Sequence, residues 1–119
     1  MMAPERMAEL VAAHAADKKA IDIVEIDLRG VSGYTDFFVV CSGRNTRQVR
    51  AIWNDVRERL KHEDRVLPHS VDGERESAWI VGDYLDVVLH VFTPETRAYY
   101  RLEDLWGDVP SIELEAASA

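Results

Sequence analysis

Three carboxylates and one histidine are the side chains whose types and spacing could support acid–base or metal chemistry. Asp83, Asp86 and His90 lie close together in the sequence, and Asp36 precedes the most apolar segment of the chain. Paired carboxylates can hold Mg²⁺ or act as general acid and base. Aspartate is also common in turns, where it hydrogen-bonds the local backbone. A metal-dependent enzyme and ordinary turn chemistry therefore both remain open for Asp36, Asp83 and Asp86.

The other reactive residue types give weaker indications. Cys41, the single cysteine, lies inside the most apolar segment, which favours a buried thiol over a nucleophile. The four histidines are not spaced as metal ligands, so neither a metal nor a cofactor is predicted. The segment 42–46 joins a predicted strand to a predicted helix, but it contains one glycine where phosphate-binding loops usually need more.

The charge balance limits the class of partner. The 119 residues include 14 Lys or Arg and 22 Asp or Glu, so the net charge is −8. A general nucleic-acid binder would carry the opposite sign. The longest apolar run, 37–41, has five residues, far too few to cross a membrane, and no secretory signal is expected near the start. We expect a soluble, cytoplasmic protein without a membrane partner.

One segment departs from this acidic character. Between residues 44 and 65 there are seven basic and four acidic side chains. A solvated helix face would explain them, and so would contact with an acidic surface or an RNA backbone. The hypothesis of RNA contact uses Arg44, Arg47, Arg50 and Arg57.

Hydrophobic periodicity predicts the elements that position these residues. Helices are predicted over 3–16, from Asn45 to about residue 62, and from Pro94 to a stop at Gly107, with strands over 20–28, 37–41, 65–68, 77–82 and 86–92. Asn45 and Gln48 predict a capping box at the start of the second helix. The predicted apolar stripe of that helix is Val49, Ile52, Trp53, Val56 and Leu60. This order predicts an α/β (α+β) fold in which a mixed β-sheet packs against helices. We expect a single domain over residues 1–107, followed by a mobile acidic tail over 108–119.

The predicted hairpin over 77–92 has one aliphatic and one amphipathic face. If Asp83 opposes Asp86, then Trp79 faces His90 and Val81 faces Val88. Trp and His suit a surface that is covered when a partner arrives, although a helix of the same domain could equally cover Trp79. The predicted partner-binding residues are Trp79, Val81, Tyr84, Leu85, Val88, His90 and Phe92.

Four sequence blocks together resemble the ribosomal silencing factor family (RsfS, also called YbeB or Iojap-like). They are D-I-V-E-I-D-L from Asp22, Y-T-D-F-F-V-V-C-S-G from Tyr34, R-Q-V-R-A-I from Arg47, and the stretch from Trp79 to Trp106 that begins W-I-V-G-D-Y-L-D-V-V-L-H-V-F. The resemblance spans roughly residues 5–107, and the acidic tail is additional to it. One departure is Leu85, which stands where the family usually has glycine before the second turn aspartate.

The resemblance implies a translational repressor and not an enzyme. Family members bind the large ribosomal subunit through its protein uL14 and hinder association with the small subunit when nutrients are short. They are also associated with late subunit maturation. The implied fold is nucleotidyltransferase-like, and free members tend to form homodimers, with at most peripheral contact to ribosomal RNA. The alternative is a metal-dependent nucleotidyltransferase or hydrolase using Asp36, Asp83 and Asp86. The order Ser42-Gly43, reversed relative to active transferases, argues against that alternative.

Overall fold

The computed structural model of the protein describes residues 2–106 and 111–114. Helices α1, α2 and α3 span Pro4–Asp17, Thr46–Asp64 and Pro94–Tyr100, and a 3₁₀ helix spans Leu102–Trp106. Strands β1 to β6 span, in order, Ile21–Asp27, Phe37–Ser42, Ser70–Asp72, Trp79–Asp83, Val87–Phe92 and Ser111–Leu114. The predicted α/β (α+β) class is confirmed, and the elements follow the predicted order as far as α3.

The six described strands form one mixed sheet in the order β3-β4-β5-β2-β1-β6. The two central strands, β2 and β5, run parallel, and the other neighbouring pairs run antiparallel. A parallel pair requires a long crossover, and α2 lies within that connection. Every residue of β2 and β5 is buried. The prediction that 37–41 forms a central strand covered on both faces is therefore confirmed.

The turn from β2 into α2 is fixed by hydrogen bonds and by one glycine. The side chain of Asn45 accepts a hydrogen bond from the backbone N–H of Gln48 at 2.9 Å, as the predicted capping box requires. Gln48 Oε1 in turn accepts from the backbone N–H of Arg44 at 2.7 Å. A Cβ atom at Gly43 would lie 2.7 Å from the backbone nitrogen of Val49, so only glycine permits this close approach.

The main core lies between one face of the sheet and the two longer helices. The predicted stripe of α2 is buried there: Val49, Ile52, Trp53, Val56 and Leu60. Trp53 has no exposed surface, and its Nε1 donates to Glu74 Oε2 at 2.8 Å. The aliphatic face of the hairpin, including Ile80 and Leu89, packs in the same core. No helix in the described part of the chain is long and apolar enough to cross a membrane.

The register predicted for the β4–β5 hairpin is wrong by two residues. Trp79 pairs with Phe92, and Val81 pairs with His90. The backbone N–H of Tyr84 donates to the carbonyl of Val87 at 2.9 Å, so the turn consists of Leu85 and Asp86. Because side chains alternate with a period of two, this shift changes the cross-strand partners but keeps every strand residue on its predicted face.

The short strand predicted over 65–68 is also wrong, since the edge strand β3 begins at Ser70. Arg65 adopts a left-handed conformation (φ 59°) that ends α2, and Pro68 has no N–H to donate to a ladder. The first hydrogen bond to β4 comes from the backbone N–H of His69, which donates to the carbonyl of Asp83 at 2.7 Å.

The C-terminal part departs from prediction in the length of its helix and in its strand. The helix begins at Pro94 as predicted, with the Thr93 side chain as its cap, but it ends at Tyr100 and does not continue to Gly107, because Arg101 adopts a left-handed conformation (φ 50°). Residues Ser111–Leu114 then pair with β1 as β6, so the sheet extends beyond the predicted boundary at 107. These four residues, which were expected in a mobile tail, form a strand instead. The strand is held by backbone hydrogen bonds to β1, and no strong apolar pattern marks it in the sequence. The rest of the predicted tail, 108–110 and 115–119, lies outside the described residues.

Candidate functional site

The sheet face opposite α1 and α2, here called the outer face, carries a second and smaller apolar cluster. Its buried members are Ile26, Leu28, Phe38, Val40, Val88 and Phe92, and its partly buried members are Val24, Trp79, Val81 and Leu102. Strand alternation explains its composition, because it takes every second side chain from β1, β2, β4 and β5. The amphipathic face predicted for the hairpin belongs to this cluster.

Trp79 is half-buried at the start of β4, among other rings. Its ring stacks on Phe92 with centroids 4.8 Å apart and lies 5.0 Å from the ring of Tyr100. Its Nε1 donates a hydrogen bond to His90 Nδ1 at 3.1 Å. The indole is therefore fixed in orientation on one side, while part of its surface remains open to solvent.

His90 is held as a neutral ring by its surroundings. It is 5% exposed, and its ring centroid lies 4.5 Å from that of Phe38. Burial lowers the pKa of His90 to about 4, so the imidazole is uncharged near neutral pH. Because Nδ1 accepts from Trp79, the ring proton resides on Nε2, which is buried and has no hydrogen-bond partner among the residues that the structure describes. His90 is therefore part of an apolar surface and is poorly suited to proton transfer.

The rings on the outer face form a continuous series, here called the aromatic row. It runs from Tyr34 through Phe38, His90 and Trp79 to Tyr100, with successive centroids 6.3, 4.5, 6.0 and 5.0 Å apart. Both ends reach solvent, since Tyr34 is 61% and Tyr100 is 54% exposed. Such a row provides a rigid, amphipathic surface with little conformational entropy to lose on binding.

The predicted partner-binding residues differ in accessibility. Trp79 and Val81 are half-buried and Leu85 is 57% exposed, whereas Val88, His90 and Phe92 are buried. Tyr84 does not extend the outer face as expected. Its ring lies 6.2 Å from that of Trp53 in the main core, because pairing continues to Tyr84 and alternation turns it toward the helices.

Sequence reasoning missed three members of the aromatic row: Tyr34, Phe38 and Tyr100. Phe38 reaches the hairpin through the parallel pairing of β2 with β5, in which it lies beside Val88. The alternation of Phe37 and Phe38 in β2 was a usable signal, since one of the two must face away from the helices. For Tyr34 and Tyr100, which lie outside the strands, the sequence offered no such signal.

The carboxylates behave mainly as turn residues. Asp83 Oδ1 accepts a hydrogen bond from the backbone N–H of Leu85 at 2.8 Å, as turn chemistry predicts. The backbone N–H groups of Asp36 and Phe37 both donate to the carbonyl of Asp86, so Asp36 and Asp86 are close together beside a small cleft. Among the described residues, no group of three or more His, Cys, Asp or Glu is arranged to hold a metal ion.

The thiol and the strand–helix junction have structural roles. Cys41 is fully buried in β2, and burial raises its pKa to about 12, so the thiolate is strongly disfavoured near neutral pH. The prediction of a buried thiol is confirmed. In the strand–helix junction 42–46, Gly43 allows the backbone to pack closely against the first turn of α2.

Several basic side chains of α2 are already paired. Arg57 lies 3.5 Å from Glu74, Arg59 lies 2.7 Å from Asp17, and Arg50 donates to Ser77 Oγ at 3.1 Å. Arg57 and Arg50 are thus engaged within the domain. Arg44 and Arg47, at the start of the helix, are exposed and form no ion pair with the described residues, although Arg44 Nε donates to Gln48 Oε1 at 3.4 Å. The predicted basic face is therefore divided into a paired part and an open part.

Comparison with known proteins agrees with this fold. A family model described as ribosomal silencing factor during starvation (RsfS) matches residues 2–119, and so includes the acidic segment that was expected to be additional. The chain is 37% identical over 114 residues to the ribosomal silencing factor RsfS of Halalkalibacterium halodurans, covering 96% of this chain and 97% of that protein. It is 35% identical over 91 residues to the Mus musculus protein named mitochondrial assembly of ribosomal large subunit protein 1, covering 75% of this chain and 40% of that one.

A solved structure supports the same conclusion. The X-ray crystal structure of a Chromobacterium violaceum protein matches with a TM-score of 0.86 at 34% identity, covering 98% of both chains. The match extends over both layers of the fold, sheet and helices alike. By sequence and by structure, this chain belongs to the RsfS family of ribosomal silencing factors.

Proposed function

We propose that this protein represses translation by binding the large ribosomal subunit through its protein uL14 and blocking association with the small subunit. Repression operates chiefly under nutrient limitation, in the cytoplasm, and the same contact serves late maturation of the large subunit. The free protein is a homodimer. The proposal rests on membership of the RsfS family, together with the half-buried Trp79 on the outer face.

The outer face supports a binding role better than a catalytic one. Its aromatic row is rigid and uncharged, and tryptophan and tyrosine anchors contribute most to binding energy at protein interfaces. Of the predicted partner-binding residues, the accessible ones are Trp79, Val81 and Leu85, and these three form the proposed contact. The buried residues His90 and Phe92 hold Trp79 in place from below, and Val88 is buried in the same apolar cluster.

The size and charge of the domain fit a steric mechanism. A specific interface buries about 1,200–2,000 Å² in total, which one face of a small domain can supply. The net charge of −8 favours docking onto a basic ribosomal protein and disfavours unspecific adhesion to RNA. Blockade then requires only that the bound domain overlap the footprint of the small subunit and dissociate slowly.

The test is co-sedimentation of Trp79→Ala with isolated large subunits. We expect binding to weaken several-fold or more, because the substitution removes the central anchor. Leu67→Ala is the matched control, since Leu67 is an exposed apolar residue (65%) outside the proposed contact. Circular dichroism and thermal unfolding verify that both variants are folded.

A second measurement addresses the blockade itself. Large and small subunits are mixed with saturating wild-type protein, and the fraction of joined ribosomes is read from a sucrose gradient. We expect that fraction to fall with the wild type and with Leu67→Ala, and to recover with Trp79→Ala. If folded Trp79→Ala binds large subunits as well as the wild type does, the proposed contact is wrong. If the subunits join normally in the presence of saturating wild-type protein, the proposed steric blockade is wrong.

A further inference from the structure

Four exposed cations from two separate segments meet at the start of α2. Lys18 and Lys19 follow α1, and Arg44 and Arg47 flank the N-cap of α2. Gln48 holds the segments side by side: its Nε2 donates to the carbonyl of Lys19 at 3.2 Å, and its Oε1 accepts from the backbone N–H of Arg44 at 2.7 Å. These four side chains are called the basic patch.

The charges of the basic patch are not neutralised within the described part of the chain. The arginines Arg29, Arg57, Arg59, Arg97 and Arg101 each form an ion pair with a carboxylate. None of the four patch cations does so in residues 2–106. The adjacent acid, Asp17, is already paired with Arg59 at 2.7 Å. In a chain with 22 acidic residues, an uncompensated group of four cations is a distinct electrostatic feature.

The composition of the patch selects the kind of partner. The large apolar side chains that are exposed in the described structure, at positions 31, 34, 67, 85, 99, 100 and 105, are all outside the two segments that form the patch. Without an apolar anchor, the patch has neither the core of a protein interface nor the side chains that insert into a membrane surface. Exposed Lys and Arg without apolar neighbours are suited to phosphate groups.

The position of the patch relates it to the proposed contact. β2 and β5 end together, where the backbone N–H of Gly43 donates to the carbonyl of Phe92 at 2.9 Å. Trp79 pairs with Phe92 and therefore lies at the same end of the sheet, on the outer face. The patch lies on the helical side of that end, since α2 packs in the main core. At this end of the sheet, the outer face around Trp79 can thus contact protein while the basic patch on the helical side contacts RNA.

We propose that the basic patch binds the phosphodiester backbone of structured RNA next to the protein contact on the large subunit. This inference rests on the proposed function for its location, but the RNA contact can be tested without it. Without its four cations the net charge of the chain would be −12, which disfavours RNA contact through the rest of the molecule, so the patch also orients the bound domain.

Salt dependence gives the expected magnitude. Each phosphate that is neutralised contributes about 0.7–0.9 to the slope of log affinity against log salt. Four contacts give a slope of roughly −3, which corresponds to an affinity loss on the order of 50-fold between 50 and 200 mM salt. A contact made only of apolar and neutral polar groups gives a slope near zero.

The experiment compares two quadruple variants in which four cations are changed to glutamine. The patch variant carries Lys18→Gln, Lys19→Gln, Arg44→Gln and Arg47→Gln. The control carries Arg6→Gln, Lys61→Gln, Arg65→Gln and Arg75→Gln, which are also exposed and form no ion pair in the described structure. Both variants take the net charge from −8 to −12, so overall charge is matched.

Two readouts separate this inference from the proposed function. Affinity for isolated large subunits is measured from 50 to 200 mM salt, and direct binding is measured with a fluorescein-labelled RNA hairpin at 50 mM salt. We expect the patch variant alone to lose most of the salt slope and to bind the hairpin at least tenfold more weakly. Wild-type protein that fails to bind subunits, but binds the hairpin through the patch, would contradict the proposed function and leave this inference standing.

Equal behaviour of the two variants in both assays would overturn the inference. A third outcome is competition by polyglutamate as efficient as competition by RNA of equal charge. That result would assign the patch to an acidic protein surface and would also overturn the RNA proposal.

Discussion

Replacement of Leu85 by glycine tests both the turn geometry and the proposed contact. Leu85 has φ 73°, and the backbone N–H of Asp86 donates to the carbonyl of Tyr84 at 2.9 Å across it. This i to i+2 hydrogen bond with a positive central φ is a strained γ-turn for any residue with a Cβ atom. The side chain is 57% exposed, so little packing is lost when it is removed.

The magnitude follows from comparing Leu85→Gly with Leu85→Ala, since both remove the same exposed side chain. A positive φ costs a non-glycine residue about 1–2 kcal/mol. Relative to alanine, glycine lowers the free energy of unfolding by about 0.4–1 kcal/mol, because it gives the unfolded chain greater conformational entropy. We therefore expect Leu85→Gly to be more stable than Leu85→Ala by about 0.5–1 kcal/mol, which is roughly 2–4 °C in Tm for a chain of this length.

The assay is urea unfolding and thermal melting of both variants, with Val31 as the reference site. Val31 is 56% exposed, a close match to Leu85, but it is not among the residues with positive φ. There the order should reverse, with Val31→Ala more stable than Val31→Gly. In subunit binding, both Leu85 variants should weaken equally, because both lack the contact side chain. A Leu85→Gly protein less stable than Leu85→Ala would refute the strain argument.

Three further perturbations follow from the packing. Gly82→Ala should destabilise the fold by about 1–3 kcal/mol, because its Cβ would clash with the fully buried ring of Trp53. Gly33→Ala is the control for urea unfolding, since a Cβ atom there meets nothing within 4 Å. Burial lowers the pKa of His90 to about 4 in the folded protein, from its usual 6.5. The contribution of His90 to the free energy of unfolding is therefore complete above pH 6.5, and it falls by up to about 1.4 kcal/mol per pH unit as the pH drops toward 4. This pH dependence of stability should disappear in His90→Phe. Cys41 should react with a thiol reagent at pH 8 only as fast as the protein unfolds, and rapid labelling of the folded protein would contradict its burial.

The local patterns predicted the elements well, because each is specified by its own residues. The stripe from Val49 to Leu60 identified the buried side of α2, and Asn45 with Gln48 identified its start. Alternation in the hairpin separated the aliphatic face from the amphipathic face. The register was wrong by two because the turn depends on the positive φ of Leu85, which the residue type does not favour.

The long-range arrangement could not be predicted in the same way. The parallel pairing that brings Phe38 beside Val88 joins segments separated by the whole of α2, and no short-range pattern specifies such a partner. Strand β6 is held by backbone hydrogen bonds to β1, which leave little trace in composition. The assembly of the aromatic row therefore required the structure.

The burial of three predicted contact residues changes how substitutions at this site should be understood. Val88 and Phe92 have no exposed surface, and His90 has 5%, so none of them can supply much contact area to a partner. Phe92 and His90 fix the position of Trp79, the first through its stacked ring and the second through the hydrogen bond to Nδ1, and Val88 packs in the same cluster. Substitution of these buried residues would therefore weaken binding and stability together, because the same change disturbs the packing of the sheet and displaces Trp79. Substitution of the exposed Leu85 by alanine would weaken binding with little loss of stability, and this difference separates the contact from its support.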